Sequence, residues 1–191
     1  MIIHTFRNVY SNDEWLRSEQ YIEGKWVEDS NEYGNSFRQQ IVDAAKAEEK
    51  TTAHEAPWLL DVEDHYNLAG GPNHVCFIVE KDGRAVGYRD VIWNGDRRVD
   101  SQYTWVVPSM RRKGIGNMLD NALYEVLGNN IVVYLWARET AHEFWRNRGY
   151  QDTGREKEDG VRLYEMKKER TGGEQKEAPS AGLSSLTTLK F

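Results

Sequence analysis

Cysteine is almost absent: Cys76 is the only one in 191 residues. No internal disulfide can form, so stability must come from packing, and the expected home is a reducing cytoplasm. A lone cysteine in a strand acts as a small buried hydrophobe. Long apolar runs are also missing. The longest, residues 131–137, falls far below the roughly 18 residues needed to cross a bilayer. No basic, apolar, small-residue leader opens the sequence, so neither a membrane span nor a secreted precursor is expected. His4, His54, His65, His74 and His142 show no His-x-x-x-His spacing, and Cys-x-x-Cys is absent, so no metal site is expected. The Gly-x-Ser-x-Gly elbow and the Cys/His pairing of hydrolases are lacking as well, and no internal repeat is present.

What remains fits one globular domain with a sizeable core. Hydrophobic residues make up 39% and charged residues 29%, with seven Trp and ten Tyr, which excludes disorder over the whole chain. The 25 basic and 31 acidic residues leave a net charge of -6. That balance argues against general affinity for nucleic acid or an anionic membrane. A local basic cluster at Arg111, Arg112 and Lys113 suits one small anion better than a polymer.

Residues 1–7 read as a strand, and Ser11 with Glu14 has capping-box spacing, which predicts a helix to about Tyr21. A polar stretch with Gly24 and Gly34 follows. Phe37, Ile41, Val42 and Ala45 recur at helical spacing and predict a helix over 36–50. Residues 54–66 are ambiguous, and 68–72 are a break. Residues 74–80 and 84–93 flank the tight turn Lys81-Asp82-Gly83, which predicts a hairpin. After a turn at 94–96, a third strand over 101–107 stops at Pro108 and completes an antiparallel meander. Met118, Leu119, Leu123, Val126 and Leu127 share one face of a helix over 116–127 that Gly128 ends. The run 131–137 reads as a central strand. Thr140 is the expected cap of a helix over 141–148 closed by Gly149, and 161–168 is the expected last strand. Residues 170–191 have the composition of a flexible tail, although Leu183, Leu186, Leu189 and Phe191 form a short apolar stripe that could dock on the domain or on a partner protein.

Chemistry concentrates in residues 105–117, where a strand ends at a proline and a glycine-spaced basic loop opens an amphipathic helix. Successive N–H groups at a helix N-terminus lack intrahelical acceptors, and the helix dipole adds partial positive charge. Gly114 and Gly116 let an anion approach the backbone without a Cβ in the way, while the neighbouring cations offset its charge. The spacing fits neither a nucleotide P-loop nor a dinucleotide fingerprint. A plain strand-to-helix turn with solvated basic residues remains the other reading of the loop taken alone.

Val106-Val107-Pro108 followed by Arg111-Arg112-Lys113-Gly114-Ile115-Gly116 resembles the pyrophosphate loop of the GNAT superfamily of acyl-CoA-dependent N-acetyltransferases. The hairpin 77–87, the segment 141–150 and the strand 161–167 resemble that family's neighbouring elements in the right order, over about residues 74–168. The resemblance implies an α/β (α+β) fold: a mixed, mostly antiparallel central sheet splayed between its fourth and fifth strands and flanked by helices. It implies a single domain over 1–169, with a strand and helices in 1–73 and a cofactor-binding core in 74–168, followed by the tail. Acetyl-CoA would be the co-substrate. Its pyrophosphate would meet N–H groups of Arg112, Lys113, Gly114, Ile115, Gly116 and Asn117 behind the lead residue Arg111, and its pantetheine arm the main chain of Trp105, Val106 and Val107.

For catalysis the resemblance places a base at Asp100, with Gln102 on the same strand face two residues on; a turn aspartate in solvent is the plainer reading. The family's acidic tyrosine falls on Trp145, whose indole cannot act as an acid near neutral pH. Tyr134 and Tyr150 are the substitutes. Arg138 replaces a frequent asparagine and could meet the cofactor's 3′-phosphate, an acidic substrate or a surface carboxylate. Trp105 and Trp136 read as core residues or as a substrate cage. The expected activity is transfer of an acetyl group from acetyl-CoA to a primary amine of a small molecule or protein, with the acidic surface favouring a cationic acceptor. The alternative is a catalytically weak or inactive GNAT-fold binding module acting through protein contacts. Many members of the family dimerise, so a homodimer is compatible with the resemblance.

Overall fold

Two-residue turns with both φ values positive match the twist of a strand pair, and this chain uses them repeatedly. Glu23 and Gly24 (φ 49° and 85°) join β2 (Leu16–Ile22) to β3 (Lys25–Glu28), and Asp82 and Gly83 (φ 53° and 75°) join β4 (His74–Lys81) to β5 (Arg84–Trp93). The computed structural model describes residues 1–10, 16–28, 37, 39–44, 47, 73–93 and 97–170. β1 (Ile2–Tyr10) pairs with both β2 and β4, and β5 continues into β6 (Arg98–Val106). A 3-10 turn at Pro108–Met110 leads to α1 (Ile115–Leu127) and then β7 (Val132–Arg138). The chain ends in α2 (Glu139–Asn147), β8 (Gln151–Asp159) and β9 (Val161–Glu169).

The nine strands among the described residues form one sheet in the order β3-β2-β1-β4-β5-β6-β7-β9-β8, antiparallel except for β6 with β7. This is the mixed, mostly antiparallel sheet flanked by helices that the resemblance implies. The predicted meander and hairpin are present, as are the helix ended by Gly128 and the strand after it.

Four expectations need correction. The helix predicted up to Tyr21 is contradicted by β2, because Leu16–Ile22 zips onto β1 with Phe6 opposite Gln20 and folds back on β3. A cross-strand ladder with a favourable turn outweighs a capping signal. Residues 1–73 therefore contribute three strands to the sheet, not one, together with helical residues 39–44. The helix α2 begins at Glu139, and its N-cap is Arg138, without a side-chain cap bond, so Thr140 lies in the first turn. β8 was not expected at all, since its sequence is almost wholly polar. It is an edge strand whose backbone pairs with β9 while its side chains stay largely exposed, so it needs no apolar pattern. The predicted elements at 11–15, 54–66, 68–72 and 94–96 and the tail after residue 170 lie outside the described residues.

The sheet has two faces. On the first, α1 and α2 cover the strands, and Val75, Phe77, Val91, Val99, Val133, Leu135 and Met166 meet Ile115, Leu119, Leu123 and Leu127 in the larger core. Each of those four helix side chains is at most 1% exposed, which contributes about 1.5–3 kcal/mol apiece. On the second face Phe37 and Ile41 pack on Phe6, Cys76, Ile78, Ala85, Tyr88 and Trp105. Gly87 brings β5 against α1: a Cβ there would stand 2.5 Å from Ile115 Cγ2 and 3.4 Å from Leu119 Cδ1. Gly87→Ala is expected to push α1 off the sheet and cost about 1–3 kcal/mol, read as a Tm lower by several degrees in thermal unfolding.

Candidate active site

Where β6 meets β7, the ladder is short. Arg98, Val99, Asp100 and Ser101 pair with Val132, Val133, Tyr134 and Leu135, and there the register ends although β6 runs on to Val106 and β7 to Arg138. The cause lies on the other side of β6. Asp90 pairs with Tyr103 and Val91 with Ser101, so Gln102 is an extra, bulged residue. A bulge bends its strand and raises the local twist, which carries β6 away from β7 and leaves an opening between them. It also breaks the alternation, so Gln102 does not share a face with Asp100 in the simple way that its two-residue spacing suggested.

Backbone polarity lines this opening. Val107 N–H donates to Val86 O at 3.0 Å, with Val106 opposite Gly87. By the antiparallel alternation, Trp105 spends its main-chain groups on β5 and Val107 its N–H, whereas Thr104 and Val106 turn theirs into the opening. Of the three residues expected to line it with main chain, Val106 does so, and Thr104 is an addition that only the register reveals. Arg111 Nε donates to Val106 O at 3.1 Å, which ties the basic loop to the strand end. The Trp105 side chain is buried in the second-face core.

Next to the opening, Met110 N–H and Arg111 N–H close on Val107 O and Pro108 O, and Met118 N–H makes the first helical bond, to Gly114 O. Arg112 (φ 61°) and Gly114 (φ 83°, the N-cap of α1) reverse the chain between them. No acceptor among the described residues meets the N–H groups of Arg112, Lys113 or Gly114, and Ile115, Gly116 and Asn117 occupy the first helical turn, where N–H groups lack intrahelical partners. Arg111, Arg112 and Lys113 are exposed around them, while the Ile115 side chain is buried. The result is a mouth of N–H donors with positive charge at its rim. A Cβ on Gly116 would stand 2.8 Å from Phe144 Cζ. Its missing side chain makes room for an α2 ring, which remains 38% exposed.

The candidate proton-transfer groups separate. Asp100 and Tyr134 are partners across the short ladder, on the second face where the opening begins. The Asp100 carboxylate receives three bonds of 2.7–3.0 Å from Arg98, whose guanidinium lies 4.2 Å over the Tyr134 ring. That carboxylate pushes Arg98 up from its ordinary value. Tyr150 lies elsewhere, in the first-face core, with its hydroxyl bonded to Asp120 (2.9 Å) and Arg89 (3.0 Å), so it has no access to the opening. Trp145 is 6% exposed and packs edge-on to Tyr150 at 5.1 Å.

Sequence reasoning missed the cluster that holds Tyr150. Arg89, with no exposed surface, bonds Asp120 Oδ1 (2.9 Å) and Ser101 Oγ (3.2 Å), and Lys168 Nζ and Arg148 reach Asp120 Oδ2 at 2.7 and 3.3 Å. The available signal was an aspartate between Leu119 and Leu123 on the apolar stripe of a helix. Burial pushes the Asp120 carboxyl up, but Arg89 and Lys168 outweigh it and bring it down to about 2. Burial pushes Lys168 down and Tyr150 and Tyr124 up.

Among known proteins, residues 72–152 match the family model described as "Acetyltransferase (GNAT) domain". No curated protein matches the chain. Among solved structures, the aminoglycoside 6'-acetyltransferase type Ii is 21% identical, with a TM-score of 0.59 over 75% of this chain and 95% of that one. The aminoglycoside 6'-N-acetyltransferase from Enterococcus faecium is 21% identical, with a TM-score of 0.53 over 72% and 92%. The PaiA N-acetyltransferase from Thermoplasma acidophilum, in complex with coenzyme A, is 13% identical, with a TM-score of 0.54 over 70% and 93%.

The buried cluster generates a pH prediction. A folded-state value of about 2 against an ordinary carboxylate near 3.9 gives a stabilisation of about 2 kcal/mol, fully present above about pH 4 and lost as pH falls through 2. Asp120→Asn strands Arg89 and Lys168 without their partner and should cost about 3–5 kcal/mol in denaturant unfolding at pH 7, with a flatter acid limb than the wild type. The split β6–β7 ladder and the donor-lined loop both lie within residues 72–152, the stretch that matches the GNAT acetyltransferase domain model, and the fold is similar to that of the solved acetyltransferases.

Proposed function

We propose that the protein transfers an acetyl group from acetyl-CoA to a primary amine, with residues 1–169 acting as one domain. The observation that carries this reading is the continuity of the N–H mouth at 112–117 with the turned-out main chain of Val106 and Thr104. A diphosphate fits the former, since donors without acceptors and three rim cations answer its charge. An amide-bearing arm fits the latter as an added strand would.

In the transfer, the acceptor nitrogen attacks the thioester carbonyl, the C–S bond breaks, and the thiolate leaves. The nitrogen loses a proton and the sulfur gains one. Asp100 stands at the start of the opening, where it can take the amine proton directly or through water, and Arg98 fixes its orientation. Tyr134 sits opposite it, with a hydroxyl that has no hydrogen-bond partner among the described residues, and is the donor to sulfur. Trp145, buried at the family's usual tyrosine position, favours the second reading, a module with weak turnover.

Calorimetric titration with acetyl-CoA separates the two together with a turnover assay. Micromolar binding is expected, weakened at least tenfold in Lys113→Glu, which changes an exposed rim charge and leaves the circular dichroism spectrum unaltered. No binding by the folded wild type removes the donor site. Asp100→Asn should lower kcat roughly 10²-fold with an unchanged Kd for acetyl-CoA; a rate within threefold of wild type would remove Asp100 as base.

A further inference from the structure

Among the described residues, α1 and α2 lie on the first face and no helix packs on the second face of β7, β9 and β8, which is therefore the side from which an acceptor can reach the opening. Side chains alternate along β7. Val133, Leu135 and Ala137 are buried on the first face, which leaves Tyr134, Trp136 and Arg138 half-buried on the second. By register, Trp136 lies opposite Glu165, Tyr134 opposite Lys167 and Arg138 opposite Leu163, with Lys157 on β8 beside Leu163.

Charge on this face runs against that of the whole chain. Arg98 is paired with Asp100 and Arg155 with Glu165 at 2.7 and 2.9 Å. Arg138, Lys157 and Lys167 make no ion pair among the described residues. Cations also occupy the rings: Arg98 lies 4.2 Å from the centre of Tyr134, and Lys157 Nζ and Arg155 lie 4.7 and 5.8 Å from that of Trp136. A polycationic acceptor would meet ring faces already taken and a local excess of its own charge. An anion would meet three cations whose charge no carboxylate answers.

We propose that the acceptor is an amine that also bears a carboxylate, an amino acid or a peptide end, with its nitrogen at Asp100 and Tyr134 and its carboxylate held by Lys157, Lys167 and Arg138 beside Trp136. Successive residues on one strand face lie roughly 7 Å apart, so the step from Tyr134 to Trp136 is within the reach of flexible lysines around a molecule of that size. The proposal rests on the acetyltransferase reading for its placement of the amine, and it reverses the cationic preference suggested by the net charge of -6.

The test compares acetyl transfer to each of the twenty L-amino acids, to its carboxamide and to spermidine. At least one free acid should exceed its carboxamide and spermidine tenfold in kcat/KM. The Lys157→Glu/Lys167→Glu double variant should lose that preference while keeping the wild-type Kd for acetyl-CoA. Preference for spermidine or for carboxamides would overturn the anionic acceptor while the acetyltransferase reading stands. Where no acceptor turns over, or acetyl-CoA fails to bind, calorimetry with N-acetyl-L-amino acids against their carboxamides decides. A tenfold preference for the acids, lost in the double variant, supports the anion site, and a difference under threefold overturns it.

Discussion

The β-bulge at Gln102 is the constraint on which the site depends. One extra residue on β6 leaves its pairing with β5 intact on either side but swings the strand end away from β7, so the parallel ladder stops after Ser101 and Leu135. One consequence follows from that deformation. Main-chain groups at Thr104 and the N–H of Val106 lose the strand neighbour that would otherwise satisfy them, while Arg111 takes Val106 O, and backbone groups left open at a sheet opening are a template for another extended chain. The strand end also leads through the loop at 108–114 into α1, which packs on the first face.

An opening in a sheet weakens it unless something else ties the halves together. Here the tie is the Asp120 cluster, in which an α1 carboxylate bridges Arg89 on β5 and Lys168 on β9, with Tyr150 from the chain after α2 between them. Those strands lie on opposite sides of the split. Full burial strengthens each of these bonds and makes an incomplete set costly. Gly87 supports the same arrangement by letting Ile115 sit on β5, so α1 is held by packing at its first turn and by charge in its second.

Net charge and local charge give different answers about the acceptor. The chain is acidic as a whole, yet the second face beside the opening collects cations on β6, β7, β8 and β9, with Arg98 and Arg155 paired with carboxylates and Lys157 resting on the Trp136 ring. Long-range attraction follows the total, whereas selection at contact follows the groups within a few ångströms. No reading of composition could separate the two, since the cations come from four strands.

Much was determined by sequence alone, wherever the cause is local. The hairpin at 81–83, the stop at Pro108, the apolar stripe and Gly128 ending α1, and the run before Arg138 follow from turn geometry and hydrophobic period. The loop at 111–117 was legible as a candidate anion site from its glycine spacing, and the resemblance to the GNAT pyrophosphate loop chose that reading over a plain turn. Tertiary structure decided whatever depends on a neighbour. Pairing with β1 made β2 a strand, and β9 gave a polar segment an edge-strand role. Register showed that Val106 and Thr104, not Trp105 or Val107, face the opening. It brought Tyr134 to Asp100 and sent Tyr150 into the core. The physical reason is that register, burial and charge pairing are relations between distant segments, and a one-residue bulge can change every one of them without altering the local pattern.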